Sequence, residues 1–229
     1  MGGYGDHTFF KKEGNEVINA HFVGLVNLTK IFSRKKIRKF IQIGSSEEYG
    51  NTRAPQSEST HGQPISPYAL AKLAATRFLV MKNNIEKYPV TILRFFLVYG
   101  PQQDNNRILP QIISGCLKNK KFPVSKGDQI RDFCYVDDAV KAIILALKSK
   151  KINGEIFNIG SGRPIKIKKV INQICKKIGR GKPQFGKIKY RKGENMKLYP
   201  SIKKARAKLK WKPRISFDRG LQIVINSHK

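Results

Sequence analysis

The chain has 229 residues, 40% of them apolar and 10% aromatic, enough to bury a core and too apolar for a disordered tail. Its 46 Lys and Arg against 15 Asp and Glu give a formal net charge of +31. No apolar run approaches the roughly 20 residues needed to cross a bilayer, which excludes a membrane-spanning helix. No basic start and apolar stretch mark a signal peptide, so the cytoplasm is the expected location.

A polyanion partner would fit the charge, but its distribution argues otherwise. The basic residues come in short groups, such as Lys118 with Lys120 and Lys121, or Lys166 with Lys168 and Lys169. These sit at the edges of apolar segments, where lysines solvate a surface. No zinc-finger, RNP or leucine-zipper pattern accompanies them, and nucleic acid is not the expected partner. Cys116, Cys134 and Cys175 are odd in number, far apart and without metal-ligand spacing. They read as small buried thiols in a reducing compartment, with no metal site.

In chain order, Val17, Ala20, Phe22, Val23, Val26, Leu28 and Ile31 recur mostly at helical spacing and predict a helix over Glu16 to Phe32. A basic turn, Ser33 to Lys39, leads into Phe40 to Ile43, a short apolar run that reads as a buried parallel strand. Gly44-Ser45-Ser46 ends it, and a loop rich in Pro, Ser and Gly fills Asn51 to Pro67. Tyr68 to Ile85 predicts a long helix, and Val90 to Phe96 the next strand. Helix, strand, helix, strand is the order of a doubly wound α/β sheet. Ile108 to Leu117 and Asp137 to Lys148 predict further helices, and Ile156 to Ile159 a strand closed by Gly160-Ser161-Gly162. Lys166 to Ile178 is amphipathic, with its basic residues outward. Beyond Gly179 the chain reads as basic and irregular, apart from a short helix over Ser201 to Leu209.

Tyr68 and Lys72 lie one helical turn apart at the start of a predicted helix, on one face. An ammonium near a phenol favours the phenolate, drawing a pKa of about 10 toward a range useful for proton transfer. Ser45, at a strand end, can offer a hydroxyl to the same reacting oxygen.

The order of motifs around these residues resembles the extended short-chain dehydrogenases of the NAD-dependent epimerase/dehydratase family, which modify nucleotide sugars. The series runs from Ile41-Gln42-Ile43-Gly44-Ser45-Ser46-Glu47-Glu48-Tyr49-Gly50 to Ser66-Pro67-Tyr68-Ala69-Leu70-Ala71-Lys72. Leu93-Arg94 with Val98-Tyr99-Gly100-Pro101 follows, then Arg131-Asp132-Phe133-Cys134-Tyr135-Val136-Asp137-Asp138. Phe157-Asn158-Ile159-Gly160-Ser161-Gly162 and Trp211-Lys212-Pro213 complete it, so the motifs cover nearly the whole chain.

The resemblance implies a Rossmann-like parallel sheet, with residues 1–105 carrying the catalytic residues. Residues 106–229 would form a small C-terminal α/β substrate-binding region interleaved with the last sheet strands. Tyr68 would take a proton from a sugar hydroxyl while the carbon beside it passes hydride to NAD or NADP. Lys72 would hold Tyr68 and the nicotinamide ribose, and Ser45 would position the hydroxyl. Arg131 and Arg191 occupy positions that meet the substrate diphosphate, where a forked guanidinium suits paired oxygens. Glu47 stands where dehydratases of the family carry a base. Thymidine-diphosphate-sugar dehydratases put Asp before it, whereas this chain has Ser46. Glu48 reads as a solvated loop charge pointing elsewhere. Leu97 and His21 replace an Asn that is usual at each position, and Ser201 replaces an Asp.

The family opens with a strand, a turn of the type G-x-x-G-x-x-G and a helix that holds the dinucleotide pyrophosphate. The sequence contains no such turn, and Gly2-Gly3-Tyr4-Gly5 matches instead the loop after the family's fourth strand. The resemblance thus implies that roughly 60–100 residues of the fold are missing, at about 30 per βαβ unit. It also implies an apolar open edge at Phe40 to Ile43, and an isolated chain that is poorly soluble or partly unfolded and does not bind NAD(P). A second copy or a complementing N-terminal half would be the protein partner. Two other readings stand beside the enzyme: a truncated family member without turnover, and a basic nucleic-acid module resting on charge alone.

Overall fold

A computed structural model describes residues 13–33, 37–191 and 193–228. Gly2-Gly3-Tyr4-Gly5 and the middle of the basic turn lie outside them. The elements run α1 (Glu13–Ile18), a π-helical turn (Asn19–Val23), α2 (Gly24–Ser33), β1 (Phe40–Ser45), a 3-10 turn (Ser46–Tyr49) and α3 (Pro67–Glu86). Then come β2 (Val90–Phe95), β3 (Leu97–Tyr99), α4 (Ile108–Leu117), β4 (Lys121–Pro123), β5 (Ile130–Arg131) and β6 (Phe133–Tyr135). The chain continues through α5 (Val136–Lys148), β7 (Ile156–Ile159), β8 (Ile165–Lys166), α6 (Ile167–Ile178), β9 (Lys182–Gln184) and β10 (Lys197–Leu198). It ends with α7 (Lys203–Lys208) and α8 (Phe217–Asn226).

The main sheet is parallel, in the order β1-β2-β7, with Ile43 opposite Leu93 and Phe95 opposite Ile159. Alternate residues of β2 face opposite ways. Val90 and Ile92 pack with Ala75 and Leu79 of α3, while Leu93 packs with Ala139, Ala142 and Ala146 of α5. A strand covered by a helix on each face has no solvated side, which is why β2 reads as a continuous apolar run. Among the described residues β1 pairs with β2 alone, and its Ile43 remains 37% exposed.

A second core lies in the later lobe. Leu109, Ile112 and Ile113 of α4, Val170, Ile171 and Ile174 of α6, and Leu221, Val224 and Ile225 of α8 surround Tyr99, Phe133 and Tyr135. Helix α8 was not expected from the basic composition around it. Its Ser216 cap accepts the Arg219 N–H at 3.3 Å, and its apolar residues share one face.

Two motif aspartates are structural ties. Asp132 is fully buried and accepts the backbone N–H groups of Ser161 and Arg163 and the Ser161 hydroxyl, which holds the turn after β7. Asp138 accepts the N–H groups of Arg214 and Ile215 at 2.9 Å, while the buried Trp211 indole donates to the Asp138 carbonyl. The C-terminal segment is thereby seated on the first turn of α5.

The helix expected over Glu16 to Phe32 is interrupted. The Gly24 N–H reaches back to the Asn19 carbonyl, a wide turn that inserts one extra residue and separates α1 from α2. No helix among the described residues is long and apolar enough to cross a membrane.

Candidate active site

Strand β1 delivers Ser45 to its carboxyl end, where the 3-10 turn begins at once. The Ser45 hydroxyl accepts the Glu47 N–H at 3.2 Å, and the Glu48 carboxylate accepts the Ser45 N–H at 2.9 Å. This reciprocal cap fixes both groups. It also overturns the reading of Glu48 as a solvated loop charge. The third residue of such a turn swings back beneath the strand, and Glu48 is fully buried. Gly44 makes the room: a Cβ there would lie 2.6 Å from the Glu48 carboxylate.

Glu48 receives the Arg94 guanidinium from β2 at 2.7 Å, with the two side chains 0% and 3% exposed. Arg94 lies 4.7 Å above the Tyr49 ring, and the Tyr49 hydroxyl donates to Asn158 of β7 at 2.7 Å. The Asn158 amide donates in turn to the Gln56 and Ser201 carbonyls, and the Glu58 carboxylate accepts the Asn158 N–H at 2.8 Å. Every main-sheet strand and the loop before α3 thus join one buried polar layer. Ser201, offered as a departure, takes part through its backbone. Leu97 packs against the later lobe's core.

Tyr68 comes from the first turn of α3. Ser66 caps that helix by accepting the Ala69 N–H at 3.1 Å, and Pro67 occupies the first position, where no N–H is needed. The Ser45 side chain reaches the phenol closely enough to lower its pKa. The His21 imidazole and the Tyr68 ring pack nearly perpendicular, centroids 5.1 Å apart, and His21 belongs to the π-helical turn. A helical position read as a substituted polar contact therefore touches the central phenol.

Lys72 sits 5.8 Å from the Tyr68 ring centroid and donates to the Ile43 carbonyl at 3.0 Å. Burial lowers its pKa, and Glu48 acts against that. The expected lowering of the Tyr68 pKa does not occur here. Burial raises it, the Ser45 hydrogen bond lowers it, and Glu47 and Glu48 raise it further. The ammonium is engaged with the edge of β1, and two carboxylates oppose the phenolate.

Glu47 is half-buried, within electrostatic reach of both Tyr68 and Arg131. Arg131, on β5, feels both Glu47 and Arg191, but its guanidinium is paired with Glu194 at 2.5 Å. Burial lowers the Arg131 pKa and Glu194 counters it. Arg191 is exposed. Strand β5 and the segment between β9 and β10 thus bring Arg131, Arg191 and Glu194 together, with Glu47 within electrostatic reach of Arg131. Glu194 had no assigned role, although it stands within the motif Arg191-Lys192-Gly193-Glu194.

Among the described residues no group of His, Cys, Asp and Glu could hold a metal ion. The Tyr68 phenol, the Lys72 ammonium and the Ser45 hydroxyl gather beside the carboxyl end of β1, the end of a parallel sheet outside which nucleotides bind. No described residues form a pyrophosphate turn.

Residues 2–160 match the NAD dependent epimerase/dehydratase family. The chain belongs to that family. It is 34% identical over 212 residues to a putative UDP-glucose 4-epimerase of Methanocaldococcus jannaschii, covering 89% of this chain and 67% of that protein. It is 31% identical to the human dTDP-D-glucose 4,6-dehydratase, covering 85% of this chain and 57% of that one. The structure of the Thermotoga maritima UDP-glucose 4-epimerase with UDP-glucose overlays all of this chain and 75% of its own, with a TM-score of 0.92 and 26% identity. The α/β fold with its parallel sheet is therefore that of the Rossmann-type family enzymes. The chain spans about two thirds or less of the length of these two curated relatives.

Proposed function

We propose that the chain carries the proton-transfer and sugar-diphosphate part of a nucleotide-sugar epimerase or dehydratase that uses NAD or NADP. The observation that carries this reading is the meeting of Tyr68 from α3 with the Ser45 hydroxyl from β1, with Lys72 one turn along. Tyr68 exchanges a proton with a sugar hydroxyl that Ser45 orients. With its pKa raised, Tyr68 starts as the neutral phenol, the form that returns a proton to a ketosugar. Positive charge favours the reverse, and Lys72 supplies it on leaving the Ile43 carbonyl. NAD(P), when bound, supplies the hydride chemistry, and Lys72 holds its ribose.

Arg131 and Arg191 take the substrate diphosphate. Glu194 neutralises Arg131 meanwhile, so an incoming diphosphate exchanges one anionic partner for another and no buried cation is left unpaired. Glu47 is placed to serve as a base on the sugar in a dehydratase.

The test has two arms. Calorimetry on the chain alone, with UDP-, thymidine-diphosphate- and guanosine-diphosphate-hexoses, should find one that binds and should lose at least about tenfold in affinity on Arg131→Met. The second arm supplies NAD or NADP and follows products by NMR. There Tyr68→Phe should cut turnover by about 10²–10⁴ while far-UV circular dichroism stays unchanged. Near-full turnover in Tyr68→Phe would overturn the mechanism, and no binding by a folded chain would overturn the substrate class.

A further inference from the structure

Two of the three cysteines, 59 residues apart in the chain, meet in the core of the later lobe. Cys116 occupies the last turn of α4 and Cys175 the last turn of α6, with their sulfur atoms 3.3 Å apart. A bond between them requires an approach of only about 1.3 Å, to the usual 2.05 Å. We propose that Cys116 and Cys175 form a reversible thiol–disulfide pair that locks α4 onto α6.

The two sulfurs differ in access. Cys175 is half-buried and is followed by the exposed Lys176, which gives an anionic disulfide a cationic approach. Cys116 is fully buried, and burial pushes its thiol up to about 12, with Cys175 adding to the rise. Gly181 closes over it: at φ +129 its backbone lies so near that a Cβ would come within 2.5 Å of the Cys116 sulfur. Cys175 therefore reacts first. As the thiolate it attacks one sulfur of a low-molecular-weight disulfide, breaking that bond, and the departing thiolate takes up the proton that Cys175 lost. Cys116 then loses its proton and attacks the Cys175 sulfur, expelling the second small thiol. Two protein thiols are oxidised and one external disulfide is reduced to two thiols. Cys134 takes no part, because its buried sulfur lies against the Tyr135 carbonyl, 3.7 Å away.

The experiment incubates the protein with oxidised glutathione, counts free thiols in denaturant and maps peptides without reduction. The count should fall from three to the single Cys134, with Cys116 and Cys175 in one linked peptide pair. The unfolding midpoint should rise by on the order of 10 °C and return with dithiothreitol, because the closed loop is long. Cys134→Ser should still lose two thiols, whereas Cys175→Ser should form no internal link. Persistence of all three thiols in the oxidised wild-type protein would overturn the proposal, as would a link through Cys134 or between molecules. The wild-type peptide map decides the matter even if a variant fails to fold.

Discussion

Beneath the strand ends, Glu48, Arg94, Tyr49 and Asn158 form a closed polar layer in which each charge and hydroxyl has a partner. Above them, Glu47, Tyr68, Lys72 and Arg131 form a second layer, half-buried, whose groups hold interim partners such as the Ile43 carbonyl and Glu194. Two adjacent glutamates of the same turn belong to the two layers. The lower layer fixes where β1 ends and how the Ser45 hydroxyl is aimed. The upper layer is left able to exchange partners, as a site that admits a charged ligand must be.

Three measurements can break or sharpen that contrast. The largest effect belongs to Glu48→Ala, which strands the Arg94 guanidinium in a dry interior. It should cost about 3–5 kcal/mol in urea unfolding. A loss below about 1 kcal/mol would mean that the lower layer is wetter than the structure shows.

Next is an alkaline limb in stability. The unfolded Tyr49 phenol ionises near 10, and burial holds the folded one up to about 12. The folded chain keeps a proton that the unfolded chain sheds, so this contribution is complete below pH 10 and is lost as pH rises through 12. The loss should be on the order of 2–3 kcal/mol. Other buried tyrosines share the limb, so the difference between wild type and Tyr49→Phe isolates it. Matching pH profiles for the two proteins would place Tyr49 outside the closed layer.

The smallest effect is Glu47→Gln. Half-buried and outside every described ion pair, it should stay within about 0.5 kcal/mol of wild type in the same urea assay. A cost near that of Glu48→Ala would erase the distinction between the layers.

The sheet and the long helices were legible because their signals are local. Ile108–Leu117 and Ile156–Ile159 have the bounds that periodicity and turn residues imply. Ser45, Tyr68 and Lys72 were legible as a set through their motifs, and the structure brings the Ser45 hydroxyl to the phenol. Glu48 was misread because its burial depends on Arg94, which arrives from another strand. The proximity of Cys116 and Cys175 is likewise set by α4 packing on α6, which no spacing reveals. Strands of two or three residues, such as β5 and β10, exist only through their partners. The Tyr68 pKa was expected on the wrong side because the lysine's carbonyl partner and the two nearby carboxylates are tertiary facts.

The chain has one tryptophan, and its ring is buried with the indole N–H on the Asp138 carbonyl. Emission from this protein therefore comes from a single known address. A red shift marks departure of the C-terminal segment from α5, whatever remains folded elsewhere. One cuvette measurement can thus time the release of that clasp against the loss of helical ellipticity, and so tell a frayed tail from a melted sheet.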